Sequence, residues 1–69
     1  MNIQVTPSQA RILNAICRTG HPKRAALDLN MKPASVQVAL MRIKQANNIR
    51  STFELVLGWD RKHRKEGSE

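Results

Sequence analysis

Apolar residues recur along this chain at helical spacing, in short blocks divided by proline, glycine and asparagine. Ile12, Leu13, Ile16 and Cys17 make the first stripe, with the period near 3.6 that marks an amphipathic helix. Its start is well signalled, with Thr6 as N-cap, Pro7 at the first helical position and Gln9 closing a capping box. Gly20 suits the position just past its end. Residues 1–5 read as a short extended arm with Ile3 and Val5 on one side. His21-Pro22 opens a second, two-turn helix over Lys23 to Leu29, with Ala25, Ala26 and Leu29 inward.

Asn30 tolerates the left-handed conformation of a sharp turn, and Pro33 opens a third helix with Lys32 at its cap. Two helices joined by so short a turn predict a helix-turn-helix. The third helix runs from Pro33 to about Asn47, with Val36, Ala39, Leu40, Ile43 and Ala46 as its core face. Ala34, Gln37, Val38, Met41 and Gln45 fall opposite, flanked by Arg42 and Lys44. After Asn47-Asn48, Ile49 plugs a turn and Ser51-Thr52-Phe53-Glu54 forms a second capping box. The fourth helix, Thr52 to about Asp60, has two apolar faces. Phe53, Val56 and Leu57 are read as its core face; Leu55 and Trp59, four apart, form the other. A helix with two such faces in so small a domain calls for a second partner. Residues 61–69 lack apolar side chains and read as a frayed helix end and a disordered tail, leaving 6–60 as the domain.

At 69 residues the chain holds one domain at most, and a chain of this size buries only about 60% of its unfolded surface. The single Cys17 excludes an internal disulfide, and His21 and His63 alone make no zinc cage. No apolar run exceeds the four residues 38–41, so neither a signal peptide nor a membrane span is expected. A cytoplasmic location, where a lone thiol stays reduced, follows. Cys17 is read as core packing and His21 as a turn residue; no catalytic triad is visible, and neither an enzyme nor a cofactor is expected. Charge is the positive signal. Twelve Lys and Arg against five Asp and Glu give +7, which points to a polyanionic partner. Residues 21–50 hold six cations against Asp28 alone, whereas 51–69 balance to zero.

Several residues then fall into an ordered series: Val5-Thr6-Pro7-Ser8, Gly20, Ala26 with Leu29, Met31, Ser35-Val36, Arg42-Ile43, Ile49-Arg50-Ser51 and Glu54-Leu55-Val56. This series resembles the four-helix DNA-binding domain of the LuxR/GerE family over roughly residues 5–57. The resemblance implies an all-α helix-turn-helix domain whose third helix enters the major groove of double-stranded DNA and which dimerises through its fourth helix. The module is expected to stand alone, without an attached sensor, receiver or ligand domain. By position, the family's base-reading residues fall on Gln37, Val38 and Met41. Gln37 suits a bidentate contact to adenine and Val38 a thymine methyl. Met41 stands where the family often has lysine, Lys32 where it usually has a capping serine, and Thr52 where it has a closing arginine.

Lys23, Arg24 and Lys32 lie where a phosphate backbone would pass, Arg42 and Lys44 flank the reading face, and Arg50 precedes the fourth helix. Solvated surface is the alternative for each. Leu55 and Trp59 are the candidate centre of a homodimer, with Trp59 folded back over the first helix as the alternative. The function expected is a small stand-alone transcriptional regulator. An alternative is a protein-binding anti-activator that pairs with a larger LuxR-type regulator and blocks it.

Overall fold

Four helices make up the chain in the computed structural model, which describes residues 3–67, with side chains described to residue 61. They are α1 (Pro7–Thr19), α2 (Pro22–Asp28), α3 (Pro33–Ala46) and α4 (Thr52–Gly67). The fold is all-α, without a strand among the described residues. None of the described helices is long and apolar enough to cross a membrane.

Local chemistry sets each boundary. Thr6 and Gln9 form a reciprocal capping box: Gln9 N–H donates to Thr6 Oγ1 at 3.1 Å, and Thr6 N–H to Gln9 Oε1 at 3.0 Å. Gly20, at φ 85°, ends α1 in the left-handed region open to glycine without strain. His21 serves as the N-cap of α2, its Nδ1 accepting the N–H of Lys23 at 3.1 Å. Both α2 and α3 then end in the same way. Asn30 and Asn48 each adopt φ 57°, and the following N–H closes back by five residues, Met31 to Ala26 O and Ile49 to Lys44 O, each at 2.8 Å. This is the Schellman arrangement with asparagine replacing the usual glycine. Ser51 caps α4 by accepting the N–H of Glu54 at 3.1 Å.

α1 makes most of the contacts between helices and, like α3, meets all three others, while α2 and α4 do not touch among the described residues. Its Ile12, Leu13, Ala15 and Ile16 are buried against Ala25 and Ala26 of α2 and Val36, Leu40 and Ile43 of α3. The two fully buried alanines leave α2 without bulk on its inner side, which lets it lie close to its neighbours. Ile3 and Ile49 close the ends of this core. Asn47 fixes the N-terminal arm: its carboxamide accepts from Gln4 N–H at 2.7 Å and donates to Gln4 O at 2.9 Å.

Three expectations are corrected. Leu55 and Trp59 are core residues, 0% and 5% exposed, whereas Phe53 and Leu57 are 74% and 38% exposed. Hydrophobic period locates two stripes about half a turn apart but not which one faces inward. The indole decides it, since it buries more area than the phenyl ring and its N–H finds a partner in Asn14, 2.8 Å away. Ala46, assigned to the core, is exposed. It sits about 90° from the middle of the buried Val36–Leu40–Ile43 stripe, taken at about 100° per residue. Finally, α4 runs on to Gly67 where an end near Asp60 was expected. Residues 61–66 contain no proline or glycine, and charged side chains propagate a helix nearly as well as leucine does. Ser68 and Glu69 of the expected tail, and Met1 and Asn2 of the arm, lie outside the described residues.

Candidate nucleic-acid interface

The turn between α2 and α3 is rigidly specified. The Schellman closure at Asn30 directs the chain out of α2, and Pro33, at the first position of α3, fixes the new helix's entry. Lys32 occupies the N-cap with extended backbone (φ −75°, ψ 140°) and makes no capping bond, since its ammonium can only donate; the residue is exposed.

Val36, Leu40 and Ile43 anchor one side of α3. The other side carries Ala34, Gln37, Val38, Met41 and Gln45, all exposed, within an arc of roughly 100° at helical spacing. Val38 and Met41 remain 42% and 47% exposed, which for apolar side chains on a well-packed helix marks a surface the fold itself does not use. All three expected base-reading residues, Gln37, Val38 and Met41, therefore share one open face.

The cations surround that face without entering it. Arg42 is exposed on one flank, and Lys44 is half-buried on the other, about 160° away around the axis. Lys32 marks the start of α3 and Arg50 stands four residues beyond its end; both are exposed. Lys23 and Arg24 are exposed in the first turn of α2. Asp28 is the only acid among residues 1–50, and its carboxylate is paired with the guanidinium of Arg18 on α1. The field over α2 and α3 is thus set by cations, with their one local counter-charge already engaged.

A second surface lies on α4. Phe53 and Leu57, one turn apart, stand beside the end of α1 and line a groove of about 190 Å³ with Ile16, Cys17, Gly20, Val56 and Asp60. Leu27 on α2 is exposed too, one turn beyond Lys23. Among the described residues no cluster of His, Cys, Asp and Glu is arranged to hold a metal ion.

Sequence reasoning missed the residues that act over long range. Asn14 gave no signal as the partner of Trp59, and Asn47 read only as a helix stop. The Arg18–Asp28 pair crosses between helices and leaves no spacing pattern. Phe53 and Leu57 were assigned to the wrong side. No family model, curated protein or solved structure matches this chain.

Proposed function

We propose that this chain is a small DNA-binding transcriptional regulator of the helix-turn-helix type, similar to the LuxR/GerE module, that binds duplex DNA as a homodimer. α3 lies in the major groove, and Gln37, Val38 and Met41 face the base edges. Lys23, Arg24, Lys32, Arg42, Lys44 and Arg50 grip phosphates to either side. The observation that carries this reading is the uncharged outer face of α3, exposed and ringed by cations, with Asp28, the one acid of residues 1–50, paired to Arg18. The homodimer forms through the exposed Phe53–Leu57 stripe of α4, not through the buried Leu55 and Trp59. The chain works by binding alone, with neither catalysis nor a cofactor.

A second reading, an anti-activator that pairs with a larger LuxR-type regulator, draws on the same apolar stripe and its groove. Duplex binding across a salt series separates the two. Under the DNA reading, log affinity falls linearly with log salt at about 0.9 per neutralised phosphate. Lys23→Ala or Arg50→Ala then weakens all sequences alike and flattens the slope by about one unit. Absence of duplex binding at low salt leaves the anti-activator.

A further inference from the structure

The face that α3 presents is made only of methyl-bearing and carboxamide side chains: Ala34, Val38 and Met41 with Gln37 and Gln45. We infer that this face selects A·T base pairs, reading thymine methyl groups and adenine edges in the major groove; the inference rests on the DNA-binding reading above. Guanine is most often recognised by arginine or lysine forming two bonds to O6 and N7. Neither residue lies on the outer arc, and Arg42 and Lys44 point to its flanks. Thymine instead offers a C5 methyl group to apolar side chains, and adenine offers N7 and its amino group, the acceptor–donor pair that one glutamine carboxamide satisfies.

The same composition argues against a protein as the occupant. Two glutamines flanking a pair of apolar residues would have to be desolvated in a dry protein contact, at a cost unless each amide were matched. An adenine edge supplies that match, and the surrounding cations favour a polyanion over a neutral or basic partner.

The test begins with selection by the full-length chain from duplexes carrying a randomised central segment. Affinity of the best duplex is then measured by fluorescence anisotropy with thymidine replaced by deoxyuridine, which deletes only the methyl groups. The selected core is expected to be rich in A·T. Each contacted methyl lost should lower affinity about fourfold, the worth of one buried methyl, with the salt slope unchanged because phosphate contacts persist. A duplex with inosine·cytosine in place of A·T keeps the minor-groove face but carries the major-groove pattern of G·C, and it should bind as poorly as G·C does. Val38→Ser combined with Met41→Gln should bind the thymidine and deoxyuridine forms equally. Should that variant fail to fold, the deoxyuridine comparison on the unaltered chain still decides. A G·C-rich selected core, indifference to deoxyuridine, or full binding to the inosine duplex overturns the A·T inference while duplex binding stands. Retention of no duplex at low salt overturns the parent reading as well.

Discussion

Trp59 on α4 donates its indole N–H to the side-chain oxygen of Asn14 on α1, joining residues 45 apart in the sequence. The ring is buried while Asn14 lies at the surface, so the bond anchors α4 at the rim of the core with the indole turned inward. The phase of α4 about its own axis is set there, and with it the identity of the residues left in solvent. Burial of Leu55 and Trp59 and exposure of Phe53 and Leu57 are two sides of one choice.

Removing the ring should therefore be far more costly than removing its polar partner. Trp59→Ala is expected to lose about 3–5 kcal/mol, the usual range for truncating a buried aromatic. That rivals the entire stability of a small domain, about 5 kcal/mol, so the variant should be largely unfolded at room temperature. Asn14→Ala should cost only about 1 kcal/mol, because water can reach the freed indole N–H from the rim. Urea unfolding followed by circular dichroism measures both. A Trp59→Ala variant as stable as the parent would contradict the packing of α4 on α1.

Punctuation of the helices is legible in the sequence because it depends on near neighbours. Thr6 with Gln9, Gly20, Asn30 and Ser51 act within a few residues of themselves, and each performs the role its chemistry implies. The open face of α3 is legible for a related reason: Val36, Leu40 and Ile43 recur at helical spacing, so Gln37, Val38 and Met41 must point away. What escapes is whatever depends on distant partners. Asn47 meets Gln4 across 43 residues, and Arg18 meets Asp28 across a helix boundary. The two stripes of α4 are equivalent until a specific neighbour favours one of them.

Asn47 holds the arm by imitating one residue of a β-ladder, since its carboxamide both accepts from and donates to the backbone of Gln4. The same amide nitrogen also donates to Ile43 O at 2.9 Å, closing the last turn of α3. Asn47→Ala should cost about 1–2 kcal/mol. Asn47→Asp should cost more, because a carboxylate there faces the carbonyl oxygens of Gln4 and Ile43 and opposes the helix dipole. Hydrogen exchange at the Gln4 amide should accelerate in Asn47→Ala, which removes its acceptor. If Asn47→Ala proved as stable as the parent, with Gln4 still protected, the arm would be held by Ile3 and Val5 alone.

Asp28 invites a substitution that strengthens binding. Its ion pair with Arg18 is exposed on both sides, and pairs of that kind contribute about 0–1 kcal/mol. Asp28→Asn should leave unfolding nearly unchanged while releasing Arg18 and adding one positive charge to the α2–α3 side. Duplex affinity should rise a few-fold at low salt, with the gain fading as salt increases. Anisotropy at two ionic strengths checks this directly. Weaker binding by Asp28→Asn at both would mean that α2 faces away from the phosphates.

The strongest contrast concerns α4, whose neighbouring positions should respond oppositely to the same chemical change. Phe53 and Leu57 are exposed beside the groove at the end of α1, so Phe53→Glu with Leu57→Glu should leave the helices and the environment of Trp59 intact. Leu55 is fully buried, and placing a carboxylate there costs several kcal/mol in a core without a counter-charge, so Leu55→Glu should unfold the chain. Sedimentation then reports on assembly. The unaltered chain should be dimeric and the Phe53/Leu57 double variant a folded monomer. Its salt slope on duplex DNA should be reduced by up to half, because a lone protomer neutralises only its own share of phosphates. A folded double variant that remained dimeric would place the interface elsewhere on the surface. An unaltered chain that stayed monomeric at high concentration, yet was captured by a purified LuxR-type regulator through Phe53 and Leu57, would transfer this stripe from self-association to the blocking of a larger partner.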